Sequence, residues 1–301
     1  MFPGDPTSDV GRRTSDGFSM MATASLSSDL RARNPVAEIN LGSRCTMRIG
    51  GPATLVTLEH RDDLVEILER PHRWLGKGAN LVIGDAGVDE VVVSLGEAFA
   101  GLEVGPAQGG RARVRCGGAL DLAKLISATT AAGLAGPEGL AGVPASVGGA
   151  LRMNAGTATC WMLDWVARVE VVLPGETVPR WLERRDLPAR YRDSGLPHGT
   201  LFLGCELDLA ADDPERLKAT GRRLKQAKAA SQPLAARSAG CVFKNPSRDQ
   251  PAGKLIDELG LKGARVGQAV VSPIHANFIV NEGGATAEEV CQLIRRIRAT
   301  A

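Results

Sequence analysis

The chain has 301 residues, 44% of them hydrophobic, and its 36 Lys and Arg against 34 Asp and Glu give a formal net charge of +2. That is ample apolar content for two or three compact lobes, and the charge balance, with neither a polybasic run nor an acidic tail, argues against nucleic acid as a partner. The longest apolar runs, such as Val91-Val92-Val93, are of strand length, far short of the ~20 residues that span a bilayer, so no membrane segment is expected and the protein is placed in the cytoplasm. The six cysteines are scattered, with no CxxC pair and no histidine at zinc-finger spacing, and read as reduced thiols with no metal to hold.

Residues 1–33 mix Pro, Gly, Ser, Thr and Asp with four arginines and carry no apolar stretch of secretory type. A disordered extension is expected there. Ile39 to Val56 reads as two short strands around Gly50-Gly51-Pro52-Ala53, and Asp62 to Arg70 as a short amphipathic helix. Leu81-Val82-Ile83 and Val91 to Leu95 predict strands on either side of a turn at Gly87, residues 112–116 another strand, and Leu120 to Ala132 a helix ending at Gly133. Small residues at irregular intervals over 133–156 suggest a ligand-binding loop rather than helix or ladder. Strands follow near 165–173 and 200–209, then a basic helix from Arg216 to Ser231 stopped by Gln232-Pro233. The remainder predicts a helix over Lys254 to Leu259, strands at Ala269 to Val271 and Asn277 to Val280, and a last helix from Thr286 to Arg298. The alternation is of the α+β kind, with no internal repeat.

Four segments carry possible chemistry. Gly76-Lys77-Gly78-Ala79-Asn80 offers a run of backbone amides suited to an anion-binding nest, though such a loop by itself is a bare turn more often than a site. It lacks the spacing of a P-loop and the third glycine and helix of a Rossmann fingerprint. Gly142-Val143-Pro144-Ala145-Ser146-Val147-Gly148-Gly149-Ala150, continuing to Asn154-Ala155-Gly156, has few β-carbons to hold a flat ligand away from backbone. Tyr191-Arg192-Asp193-Ser194 contains the one tyrosine of the chain, and taken alone its arginine suits a structural ion pair. Ser238-Ala239-Gly240-Cys241-Val242-Phe243-Lys244-Asn245-Pro246 places an ionisable thiol beside a glycine, a lysine and an amide. An inert buried cysteine is the alternative there.

Together with Thr46-Met47-Arg48-Ile49-Gly50-Gly51, these segments resemble the UDP-N-acetylenolpyruvoylglucosamine reductases, flavoenzymes that make UDP-N-acetylmuramate for peptidoglycan. The resemblance runs over roughly residues 34–298. It implies a vanillyl-alcohol-oxidase (PCMH) type FAD-binding fold over 34–210, in lobes of about 34–95 and 96–210, followed by a C-terminal α+β substrate lobe over 211–301. FAD is expected to be noncovalent, because Pro52 stands where many covalent-flavin oxidases of that superfamily carry a histidine. NADPH is the implied hydride donor and a UDP-sugar enolpyruvyl ether the implied substrate. The positions matching flavin contacts are Ile49, Gly50, Gly51, Gly76, Lys77, Gly78, Ala79, Asn80, Gly142, Val143, Pro144, Ser146, Val147, Gly148, Gly149, Asn154, Ala155 and Gly156.

By the same resemblance Arg192 stabilises the enolate formed when hydride reaches the substrate, and Cys241 stands where the family usually has a serine that donates the proton. Tyr191, Lys228, Asn245 and His275 fall on the substrate side, with Lys225 an alternative to Lys228 for the diphosphate. Cys45 departs from the usual Asn or His and reads as a small buried side chain. The subclass is that without an extra tyrosine-bearing loop, a monomer is expected, and the chain reads as C-terminally short, ending before a glutamate-bearing segment of the family. A flavin dehydrogenase or oxidase of the same fold with another substrate, or a catalytically silent flavin-binding paralogue, is the alternative.

Overall fold

A computed structural model describes residues 26–157, 160–247 and 249–301. Of the stretch expected to be disordered, residues 1–25 lie outside the described residues, but Ser28–Arg33 form helix α1, capped by the Ser27 hydroxyl, which accepts from the Leu30 amide at 3.1 Å. Leu30 is fully buried, and that contact orders the turn.

The first sheet contains β1 (Val36–Asn40), β2 (Pro52–Leu58), β3 (His72–Trp74) and β4 (Val91–Leu95) in the order β1-β2-β4-β3, with α2 (Leu64–Leu68) between β2 and β3. β1 runs antiparallel to β2, and β4 pairs in parallel with both β2 and β3. Leu81-Val82-Ile83 is not a strand. β4 already has a partner on each side, and Leu81 and Val82 lie exposed on the loop that leads towards it.

The second sheet is antiparallel: β5 (Leu102–Val104), β6 (Arg111–Gly117), β7 (Leu134–Ala135), β8 (Val166–Val172), β9 (Arg180–Glu183) and β10 (Leu201–Ala211), in the order β5-β6-β10-β8-β9 with β7 also on β10. In β6 the arginines at 111, 113 and 115 face solvent while Ala112, Val114 and Cys116 face the core, the period-two pattern of a half-buried strand. Helices α3 (Leu122–Ala131) and α4 (Val147–Arg152) join the core of this sheet through Leu122, Leu125, Val147 and Leu151. α4 corrects the expectation of an irregular loop over 133–156. Its small residues let the helix sit tightly on the sheet, since a β-carbon on Gly148 would come 3.0 Å from the carbonyl oxygen of Phe202, and Ser146 caps it by accepting from the Gly149 amide at 3.2 Å.

Helix α5 (Pro214–Ser231) packs against α3 and the turn Pro137–Leu140. The third sheet, β11 (Ser238–Cys241), β12 (Arg265–Val266), β13 (Ala269–Val271) and β14 (Phe278–Asn281), has the order β11-β14-β13-β12 and is accompanied by α6 (Ala252–Glu258) and α7 (Ala287–Thr300). Among the described residues no helix is long and apolar enough to cross a membrane.

The two central strands of the first sheet, β2 and β4, are buried on both faces. Ala53, Leu55 and Val92 point into a core shared with Phe243, Ile256, Ile279, Val290 and Ile297 of the third lobe. Val56, Leu58, Val91 and Val93 point the other way, into a core shared with Phe99 and with Val172, Leu201 and Leu203 of the second sheet. The register Leu55↔Val92 and Val56↔Val93 keeps each face consistent. Because Ile256 fills the first of these cores, Ile256→Ala is expected to cost about 2–5 kcal/mol, read as a lowered urea midpoint with an unchanged slope.

Candidate active site

The loop after β3 leaves Gly76, Lys77 and Asn80 exposed and buries Gly78. None of the amides of Gly76, Lys77, Gly78, Ala79 and Asn80 donates to an acceptor among the described residues. Gly78 has φ +61°, and its α-carbon lies so close to the Arg44 carbonyl that a β-carbon would stand 2.3 Å from that oxygen, so only glycine fits. Thr46 fixes the loop from beneath: its amide donates to the Gly78 carbonyl at 3.1 Å and its hydroxyl to the Ser238 carbonyl at 2.7 Å. One residue thus ties this loop to the strand that ends at Cys241.

The second glycine segment faces the first across a narrow gap. A β-carbon on Gly76 would come 2.9 Å from the Ser146 hydroxyl, and Lys77 pairs with Asp121, the cap of α3. Gly142 has φ +80° and lies beside the aliphatic stems of Lys225 and Lys228. Asn154, at φ +39°, accepts from the Leu163 amide at 3.2 Å and donates to the Arg190 carbonyl at 3.2 Å, so this segment also supports the turn that carries Arg192. Gly156 meets the Trp161 ring, which a β-carbon would strike at 2.2 Å.

Three distant parts of the chain then meet at one thiol. Cys241 is accessible at the end of β11. The protein around it pushes its thiol above the ordinary range, while the charges of Arg192 and Lys228 pull it back in part. Burial and the neighbouring Arg192 lower Lys228 in turn, and Cys160 and Cys241 oppose that shift. Lys228 is half-buried among these groups, whereas Lys225 is exposed. Arg192 has its guanidinium carbon 5.5 Å from the Trp161 ring centre and 5.8 Å from that of Tyr191, and the two rings meet edge-on at 5.5 Å. Trp161 and Cys160 were missed by sequence reasoning; a tryptophan close after a glycine loop, in a chain only 4% aromatic, was the available signal.

Chain segments 52–180 match an FAD binding domain, and 232–301 match the C-terminal domain of UDP-N-acetylenolpyruvoylglucosamine reductase. A reductase of that name from Desulfosudis oleivorans is 40% identical over 84% of this chain and 85% of its own length, and one from Thermus thermophilus is 41% identical over 87% and 94%. The solved structure of the reductase from Thermus caldophilus superposes with a TM-score of 0.81 at 39% identity, covering 88% of this chain and 95% of that one. The chain belongs to the UDP-N-acetylenolpyruvoylglucosamine reductase family. A solvent-stable cholesterol oxidase, 18% identical with a TM-score of 0.50, shares the fold alone.

The residues of this family member fit FAD. A diphosphate needs donors without a charge penalty, and the amides at 76–80, which donate to no acceptor among the described residues, would supply them. A flat ring system needs backbone free of side chains, which Gly142 would provide on the opposite loop, whereas Gly148 is taken up by the packing of α4 on the Phe202 carbonyl. Pro52 and its neighbours supply no histidine at the Gly-Gly turn. Ile49 is buried, and Gly51 is required first by the protein, since a β-carbon there would stand 2.2 Å from the Gly87 amide nitrogen. Ala155 is buried, Val143 half-buried and Pro144 exposed.

Other candidates have internal partners. The Asn245 side-chain oxygen accepts from the Ala252 amide at 3.0 Å at the start of α6. The His275 ring nitrogen Nδ1 accepts from the Asn277 amide at 3.2 Å, its ring packs edge-on against Phe278, and burial lowers its basicity. Cys45 is buried with its thiol 3.2 Å from the Ile49 carbonyl. Glu289, at the start of α7, makes a capping box with Thr286.

Because Lys228 favours the Cys241 thiolate, Lys228→Met is expected to move the thiol further up. The pH profile of Cys241 alkylation by iodoacetamide, followed on the Cys241 peptide by mass spectrometry, should show a midpoint above that of an ordinary thiol in the wild type and a higher one in the variant.

Proposed function

We propose that this chain reduces UDP-N-acetylglucosamine enolpyruvate to UDP-N-acetylmuramate, with NADPH as hydride donor and noncovalent FAD between the two. The observation that carries the reading is the placing of the Cys241 thiol at the end of β11, a strand that Thr46 ties to the first glycine loop, with the charges of Arg192 and Lys228 both acting on it. The chemistry supplied by bound FAD is two-electron acceptance of hydride from NADPH and its delivery to the enolpyruvyl methylene carbon.

The chain's own residues handle charge and proton. Hydride addition to the methylene carbon leaves negative charge spread over the α-carbon and carboxylate, and the fixed cation of Arg192 stabilises it. Cys241 then transfers its proton to the α-carbon, and the thiolate left behind is favoured by the same two cations. A raised resting value suits a donor, because the proton is present before it is needed. Lys228 serves as the cation for the substrate's diphosphate, with Tyr191, Asn245 and His275 lining the substrate side. The resident FAD contacts are the two glycine loops.

The near-zero net charge supports a role without nucleic acid, and a nucleotide-sugar substrate with NADPH supports a cytoplasmic one.

NADPH consumption by the flavin-loaded protein, measured with and without the enolpyruvyl substrate, tests the reading. Substrate-dependent consumption is expected. Arg192→Asn, chosen because asparagine tolerates φ > 0, should lose about 10²–10³-fold in kcat. Cys241→Ala should lose about 10²–10⁴-fold, and Cys241→Ser should retain most of the activity. Bound flavin with no substrate-dependent consumption in the wild type would overturn the proposed reaction.

A further inference from the structure

We propose that Arg152, at the end of α4, is a positioning residue that holds the Arg192 guanidinium in place by clasping the four-residue turn beneath it. The inference rests on the role given above to Arg192.

Arg192 has φ +57°, a left-handed backbone that is unfavourable for a non-glycine residue and persists only where its surroundings impose it. The turn closes on itself, with the Arg190 amide donating to the Asp193 carbonyl at 2.9 Å and the Asp193 amide donating to the Arg190 carbonyl at 3.2 Å. Two hydrogen bonds alone do not fix its direction.

Arg152 does so from outside. Its Nη1 donates to Asp193 Oδ1 at 3.0 Å and to Ser194 Oγ at 3.2 Å, and its carbonyl accepts from the Ser194 amide at 3.1 Å. Nη2 lies 3.4 Å from His198 Nδ1. Asp193 Oδ1 also accepts from the Gly195 amide at 3.0 Å, so one carboxylate oxygen gathers both sides of the turn. Burial disfavours the charged Asp193 carboxylate, yet the Gly195 amide and Arg152 hold it below the usual carboxylate range. Ser194 is fully buried. With its guanidinium engaged by the turn, Arg152 is committed to the protein rather than to a ligand.

α4 begins at Ser146, in the second glycine loop, and ends at Arg152, on the arginine turn. A single short helix therefore sets the distance between the flavin-side backbone and the cation at the reacting end. Trp161 and Tyr191 complete the setting by flanking the guanidinium with their rings.

The test uses the thiol as a reporter, because the Arg192 charge lowers the Cys241 thiol only while it stays near it. Arg152→Met should raise the pH midpoint of Cys241 alkylation in the same direction as Arg192→Asn. Arg152→Lys, which keeps a donor, should restore most of the shift. In an Arg192→Asn background, adding Arg152→Met should produce no further shift, whereas a direct long-range effect of the Arg152 charge would persist there. In turnover, Arg152→Met should lose about tenfold to a hundredfold in kcat with flavin content and NADPH-driven flavin bleaching unchanged, and this loss too should vanish in the Arg192→Asn background. If Arg152→Met does not fold, Asp193→Ala is carried through the same pair of backgrounds. A midpoint unmoved by Arg152→Met, or a shift and a kcat loss that add fully to those of Arg192→Asn, would overturn the positioning role. A wild type that never consumes NADPH in response to substrate would overturn the proposed reaction instead, and the alkylation profiles would still decide whether Arg152 places Arg192.

Discussion

Everything in this molecule depends on the two central strands of the first sheet, β2 and β4, being buried on both faces. Parallel strands flanked on each side are mostly apolar, which is why β2 and β4 carry Leu55-Val56 and Val91-Val92-Val93, and the buried hydroxyls among them, Thr54 and Ser94, donate to Glu38 and to the Leu75 carbonyl. Each buried Val or Leu contributes about 1.5–3 kcal/mol relative to exposure. The third lobe and the second sheet are each held to a common reference by several such residues. Neither can shift without exposing part of a core that belongs to the first sheet as well.

That constraint determines what the cleft can do. Cys241 sits on a strand of the third lobe, the amide nest on a loop of the first, and Arg192 and Lys228 on elements that pack on the second. The links between them are short and polar where the cores end. Thr46 joins nest to thiol strand, Asn281 Nδ2 donates to the Met47 carbonyl at 2.9 Å, and Asp85 accepts from the Ala287 amide at 2.9 Å at the start of α7. Arg61 reaches from the first lobe to Glu170 of the second with two bonds of 2.7 and 2.8 Å. A bidentate pair with one partner buried holds orientation better than a single contact does.

Strands and helices with strong periodicity were legible in the sequence: β4, β6, β13 and α7 fall where the pattern puts them. Leu81 to Ile83 does not form a strand because β propensity depends on packing, and Leu81 and Val82 lie exposed with no strand beside them. α4 was misread because residues chosen to let a helix approach a sheet look like loop when only one chain segment is in view. β9 and β11 gave too short a signal. Of the chemistry, the nest and the thiol motif could be seen as segments, and the resemblance supplied their meaning. Arg152 could not be seen, because its task is defined entirely by Asp193 and Ser194, some forty residues away.

The two loops of glycine-rich backbone also differ in what their small residues are for. At Gly51, Gly78 and Gly148 an added β-carbon would strike protein backbone, so glycine is required whether or not a cofactor is bound. At Gly142 the nearest atoms would be lysine methylenes at 3.5 and 3.6 Å, and the left-handed φ is what demands glycine there. A motif that looks uniform in sequence thus divides into positions that build the walls and positions that leave the cleft open.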